Sequence, residues 1–285
     1  MSQLAQPMDR VSAARTAGER LFEEYLHSQG IDDFEYEKTQ PGKRKKIDYT
    51  VTLDREYLFD VKDFTAVEIA ASGAYDAHKR LRKKIDHVRE QFKEYKAWPC
   101  CAVLHNDNAA LVDLTTPFIV FGAMYGNLGL RVQFDTTTGE KISETTEFMS
   151  GGKMLFRKLK SLFFDVHNST ISALITLRYV ESGYARLCRD FSEKREAGVT
   201  AKEWIVMDHA VDSEEEHLGV IVWENSFARI PFAREIFCGK YDERYGLSDQ
   251  AVLTRLFAGT GIVEYEELMG EQRSPIFTMR EREKR

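Results

Sequence analysis

Three residues on two short apolar runs have the types and spacing for metal-assisted phosphodiester chemistry. Asp48 lies in Lys45-Lys46-Ile47-Asp48-Tyr49-Thr50-Val51, and Asp60 and Lys62 lie in Leu58-Phe59-Asp60-Val61-Lys62-Asp63-Phe64. Both runs have the β-branched and aromatic content of strands. An Asp in such a strand is unusual, because burying a charge without a partner is costly. Asp60 and Lys62 are two apart, so their side chains leave the same face. Val61 points the other way, and its backbone carbonyl stays available as an extra ligand. Two carboxylates can hold a hard divalent cation, Mg²⁺ or Mn²⁺, through oxygen. Such an ion lowers the pKa of a bound water and steadies charge on a phosphate. A lysine beside it can orient the water or neutralise developing charge.

The elements that must position these residues follow from periodicity. Residues 47–53 and 57–62 read as strands joined by a polar turn, which predicts an antiparallel hairpin that brings Asp48 near Asp60 or Lys62. The turn has no Asn-Gly or Asp-Gly signature, and a one-residue slip would turn Asp48 to the opposite face. A helix is predicted over 9–29, with Val11, Ala14, Leu21, Phe22, Tyr25 and Leu26 at apolar positions. A short strand covers 34–38. A helix over 74–96 carries Leu81, Ile85, Val88, Phe92 and Tyr95 at helical spacing, and Pro99 opens an apolar strand over 100–104. Farther on, 118–124 is a helix or a strand, 153–164 an amphipathic helix, 171–180 and 218–223 strands, 184–195 a helix, and 246–268 helical with a loop near Gly259.

With these residues in this order, the chain resembles the PD-(D/E)XK nuclease superfamily, which includes many restriction endonucleases and Holliday-junction resolvases. Asp48 matches the family's first Asp, with Ile47 where the family name has Pro. Asp60-Val61-Lys62 matches the (Asp/Glu)-x-Lys part. The segment Gly18-Glu19-Arg20-Leu21-Phe22-Glu23-Glu24-Tyr25-Leu26 is similar to the first helix of the resolvase-like branch. On that match Glu19 takes the helical-Glu role, with Glu23 as its competitor one turn later. Gln91, on the helix after the motif strand, matches a position where related nucleases carry a polar Gln or Lys near the site, and Lys84 competes for that role. The resemblance covers roughly residues 15–105.

It implies an α/β (α+β) fold with a restriction-endonuclease-like core, a mixed β-sheet flanked by helices. It also implies a catalytic set of Glu19, Asp48, Asp60, Lys62 and Gln91, and metal ligands from Asp48, Asp60, Val61 and Glu19. The activity it implies is a Mg²⁺- or Mn²⁺-dependent DNA endonuclease in restriction or antiphage defence. Two alternatives stay open. One is a non-catalytic nucleic-acid-binding or assembly module with a nuclease fold. The other is an RNase activated by a partner.

Composition bounds these expectations. The 285 residues, 43% hydrophobic and 30% charged, suit a globular chain with a real core. The division expected is a nuclease-like domain over 1–240 with an extended distal α/β part, and a C-terminal helical extension and tail over 241–285. No apolar run reaches the length of a membrane span, so no membrane partner is expected. The four cysteines form no C-x-x-C pair, and a reducing cytoplasm is the natural setting. The formal charge is -6, yet basic residues cluster. Lys43, Arg44, Lys45 and Lys46 directly precede Asp48, and Arg82, Lys83 and Lys84 lie on the 74–96 helix. Clusters beside a metal site suit phosphate binding, which points to DNA, with RNA as the alternative. A homodimer or a larger defence complex is compatible with the resemblance.

Each residue also has a plainer reading. Asp60 and Lys62 can form a surface ion pair worth little. Glu19 and Gln91 can face solvent, as most such helical residues do, and a basic run can be a solvated helix face. The seven histidines show neither H-E-x-x-H nor zinc spacing, and no G-x-S-x-G elbow or Walker A loop is present.

Overall fold

The computed structural model describes residues 15–64, 77–106, 114–134, 137–138, 141–157, 164–166, 168–181, 190–191, 193–200, 203, 216–248 and 253–269. Their centre is an eight-stranded mixed sheet. In chain order its strands are β1 (Phe34–Tyr36), β2 (Tyr49–Thr52), β3 (Glu56–Asp63), β4 (Cys100–His105), β9 (Ile171–Glu181), β10 (Glu216–Glu224), β11 (Glu243–Leu247) and β12 (Leu253–Ala258), and they lie side by side in that order. The inner strands β3, β4 and β9 run parallel, while β1, β2 and β3 form an antiparallel meander. Two small antiparallel pairs stand outside this sheet. They are β5 (Gly126–Phe134) with β6 (Lys141–Gly151), and β7 (Leu155–Arg157) with β8 (Phe164–Val166).

Strand alternation divides the core into two layers. Leu58, Ala102, Leu104, Leu174 and Trp223 face a cluster completed by Leu81, Ile85, Val88 and Phe92 of α2 (Ala77–Phe92) and by Val120 and Phe121 of α3 (Pro117–Tyr125). Tyr57, Phe59, Val61, Val103 and Ile175 face the opposite cluster, with Leu21, Phe22, Tyr25 and Leu26 of α1 (Ala17–Ser28). Phe22 is wholly buried against Tyr49 and Phe59 at ring separations of 5.4 and 5.1 Å. A side chain buried like this contributes about 1.5–3 kcal/mol. Cys100 and Cys101 are free and buried, and burial pushes both thiols well up.

Several expectations hold element by element. The helices over 17–28 and 77–92 and the strands at 34–36, 49–52, 56–63, 100–105, 171–181 and 216–224 stand where periodicity put them. The ambiguous 118–124 segment is helical, with Pro117 in its first turn. Two expectations are corrected. The described residues of the 246–258 stretch are not helical, because β11 and β12 pair antiparallel and add two strands to the main sheet. Helix begins only at α4 (Thr260–Met269). Val252, Leu253, Leu256 and Phe257 have helical spacing, but cross-strand pairing overrides a weak local preference. Similarly, the described ends of the 153–164 segment are β7 and β8. Much of the 184–195 helix lies outside the described residues, as do residues 9–14 of the first helix. Among the described residues no helix is long and apolar enough to cross a membrane.

Candidate active site

The β2–β3 hairpin sets the geometry. Tyr49 pairs with Phe59 and Thr50 with Leu58, without a bulge. Continued by one residue, this register sets Asp48 opposite Asp60. Asp48 precedes β2 and is anchored by the Val61 backbone N–H, which donates to its Oδ2 at 2.7 Å. On the next strand Leu58, Asp60 and Lys62 alternate with Tyr57, Phe59 and Val61, so Asp60 and Lys62 lie on the α2 side. Lys62 Nζ stands 2.8 Å from Asp60 Oδ2 and 4.0 Å from Asp48 Oδ2. Asp48, Asp60 and Lys62 are thus brought together.

The electrostatics of the three are unbalanced. Asp60 is 0% exposed, and neither of its oxygens receives a hydrogen bond. The Lys62 ammonium is close enough for an ion pair but is not aligned to donate. The neighbour across the sheet is Ala102, which offers no polar atom on its side chain. Asp48 is pushed up from 3.8 to about 7. Burial is the largest cause and the charge of Asp60 the next, while Lys62 and the Val61 N–H pull the other way. Two carboxylates share one ammonium, and a buried carboxylate without donors is rare and costly.

A divalent cation fits this donor set. It would meet the oxygens of Asp60, which no backbone N–H holds, and the carboxylate of Asp48. The N–H and C=O of a strand residue leave on the same edge, so the Val61 carbonyl faces the side of Asp48. Among the described residues no group of three or more His, Cys, Asp or Glu converges on one point. The site therefore offers two carboxylates and a backbone carbonyl, a partial set of the kind Mg²⁺ takes while keeping several waters.

Glu19 serves α1 directly. Thr16 caps the helix, its Oγ1 accepting from the Glu19 N–H at 3.2 Å, and Glu19 Oε2 accepts from the Thr16 N–H at 2.6 Å. Its other oxygen accepts from the Tyr36 hydroxyl at 3.2 Å. Tyr36 is pushed up to about 12 by burial first, then by Glu19, with Asp48 contributing. Glu19 and Asp48 therefore act on one hydroxyl. Glu23 is turned to the Tyr49 hydroxyl, at 2.8 Å, and to Arg15. The start of α1 packs on the end of β3, where the Gly18 N–H donates to Asp63 Oδ1 at 2.9 Å. A Cβ at position 18 would stand 2.7 Å from that oxygen and 2.8 Å from the Cβ of His105, so this approach requires glycine.

Gln91 and Lys84 separate in space. Gln91 Nε2 donates to the Lys46 carbonyl at 3.1 Å, which holds the segment leading into Asp48. Lys84 Nζ donates to the Asp63 carbonyl at 2.8 Å. Its pKa is lowered by burial and then by the charge of Lys62, which marks Lys84 as a neighbour of the motif lysine. Arg82 donates to the Gly122 carbonyl at 2.9 Å, and Lys83 is exposed. In the basic segment Lys46 pairs with Glu37 at 2.9 Å, Lys45 donates to the Glu90 carbonyl, and Arg44 is exposed. Lys43 stands 5.8 Å from the rings of both Tyr95 and Trp98.

Two neighbours of the site were not foreseen. Tyr36 links Glu19 to the field of Asp48, and His105 Nδ1 lies 2.7 Å from Asp63 Oδ1, where the pair backs the start of α1. Asp63 is held below its usual range; burial works against this, and the His105 contact leads the effects that lower it. Residues 42 positions apart carry no shared spacing signal, and only the parallel pairing of β3 with β4 joins them. Comparison of the chain with protein-family models, with curated proteins and with solved structures finds no match.

Proposed function

We propose that this chain is a metal-dependent DNA endonuclease with a restriction-endonuclease-like core of the PD-(D/E)XK type, acting in the cytoplasm in restriction or antiphage defence. The observation that carries this reading is Asp60, fully buried with no backbone N–H donating to it, held only beside the Lys62 ammonium and the Asp48 carboxyl on adjacent strands. A structural carboxylate would be satisfied, as Asp242 is by the Tyr25 hydroxyl and by two backbone N–H groups. One with no backbone donor, sharing a single ammonium with a second carboxylate, fits a cation site.

In this reading Asp48 and Asp60 hold Mg²⁺ or Mn²⁺, with the Val61 carbonyl beside them and Glu19 at the margin. The ion supplies Lewis acidity toward water and phosphate. Lys62 Nζ, already placed between the two carboxylates, donates to the attacking water or to a phosphate oxygen. Lys84 adds positive potential beside Lys62, where a phosphate would approach. Gln91 acts through the backbone, fixing the turn that delivers Asp48.

The test is a cleavage time course on DNA in Mg²⁺ with wild type, Lys62→Ala and Lys62→Arg. Lys62→Ala should lose on the order of 10²–10³ in rate while keeping its fold. Lys62→Arg should not restore it, because a planar guanidinium does not replace a compact ammonium. Undiminished cleavage by Lys62→Ala would remove the motif from the chemistry. Absence of cleavage by wild type on DNA, with cleavage of RNA instead, would move the substrate class.

A further inference from the structure

A second basic feature lies on the α2 side of the sheet, at the far end of that helix. An open groove of about 600 Å³ runs between the segment that precedes Asp48 and the turn that follows α2. Lys43 and Arg44 line it from the first segment and Lys93, Lys96 and Trp98 from the second, with Glu94 as the one acid. We propose that this groove seats the phosphodiester backbone of a DNA duplex outside the reactive position. The proposal deepens the nuclease reading and rests on it for the choice of DNA.

Three observations carry it. First, the cations come from two different segments, and the fold holds them together. Gln91 donates to the Lys46 carbonyl, Tyr95 donates to the Lys45 carbonyl, and the Arg44 backbone N–H donates to Glu94 at 3.4 Å. These bonds keep Lys43 and Arg44 against a helix end that is itself basic. Like charges brought together repel, so the arrangement costs stability and suits an anionic occupant. Second, the cations are scarcely neutralised. The Lys93 side chain is 71% exposed and its contact to Glu90 is a loose 3.7 Å. Among the lining residues four cations face one carboxylate, in a chain whose formal charge is -6. Third, the groove and the site share a segment. Lys43 and Arg44 lead directly to Asp48, so an anion seated on them bears on the strand entry that carries a proposed metal ligand.

The shape favours a backbone over a small anion. The groove is open rather than enclosed, and its cations come from two segments. A single phosphate would be met by fewer of them than a chain of phosphates.

The experiment is a fluorescence-anisotropy titration of a labelled DNA duplex without divalent metal, repeated over a series of salt concentrations. The proteins are wild type, the Lys93→Gln/Lys96→Gln double variant, and Lys240→Gln as an exposed cation elsewhere. Each phosphate contact contributes about 0.9 to the slope of log affinity against log salt. The double variant should therefore lose about 1.8 in slope and at least about tenfold in affinity near 0.1 M salt. Lys240→Gln should match wild type. Equal affinity and slope for the double variant would overturn the groove, and so would a wild type that does not bind the duplex. Binding with the expected loss, in a protein that never cleaves in Mg²⁺, would uphold the groove and sink the nuclease reading.

Discussion

At the scale of single residues, Asp48 and Asp60 define the problem the fold has to meet. Asp60 is wholly buried in β3 and Asp48 half-buried just before β2, and the packing that shields each carboxylate also removes water that would solvate its charge. For Asp48 the consequence is a folded-state pKa of about 7 against an ordinary 3.8. The folded protein therefore keeps a proton on Asp48 that the unfolded chain has already released. Between those two values the native state binds more protons, so stability falls as pH rises. The contribution is fully present below about 4 and lost on passing through about 7. Asn at position 48 has no such proton to lose. Urea unfolding in a chelator should show wild type losing stability across that window by up to about 1.4 kcal/mol per pH unit. Asp48→Asn should have a flatter profile. Parallel profiles would mean that Asp48 is not buried against Asp60 in solution.

At the scale of elements, α1 is the piece whose placement matters most for the site. Its start is fixed by the reciprocal pair of Thr16 and Glu19 and by the Gly18 N–H on Asp63. The first turn thus stands over the ends of β3 and β4. Removing the Thr16 hydroxyl should cost about 1 kcal/mol, read as a lower urea midpoint for Thr16→Ala. Thr16→Ser should recover most of it, since Ser caps at least as well. An unchanged midpoint in Thr16→Ala would show that Asp63 alone anchors the helix. The hairpin is the other decisive element. Its register is fixed by burial, because a slip would turn Tyr49 and Val51, both wholly buried, away from the α1 layer they pack in and put Thr50 there instead.

At the scale of the whole molecule, the chain beyond residue 240 is tied to α1 and to β10. Asp242 accepts from the Tyr25 hydroxyl of α1 at 2.6 Å and from the Val220 N–H at 3.0 Å. Arg244, 1% exposed, pairs with Glu224 at 3.0 Å. Tyr245 stacks on Trp223, with centroids 5.0 Å apart. A chain cut after Lys240 would leave the Glu224 carboxylate and the Trp223 ring without these partners, and β10 with an open edge. Such a fragment should lose its cooperative thermal transition. A cooperative melt like that of the full chain would show that 1–240 folds alone.

The motif itself was legible in the sequence, because strand alternation is local. Asp60 and Lys62 on one face, a hairpin delivering Asp48 and the apolar face of the helix that carries Glu19 follow from periods of two and 3.6 residues, while the start of that helix at its Thr16 cap does not. Nearest-neighbour chemistry could not decide what depends on distant pairing. Gln91 and Lys84 have a similar standing in the sequence, yet Lys84 bonds the Asp63 carbonyl beside Lys62 while Gln91 bonds the Lys46 carbonyl on the approach to Asp48. Residues 253–258 continue a helical spacing but form strand β12, because β11 pairs along the edge of β10 and offers its own free edge to β12. The burial of Asp60 without a donor is likewise a tertiary fact. It arises on β3 between the hairpin partner and β4, and local periodicity carries no information about which polar atoms that pairing leaves without a backbone donor.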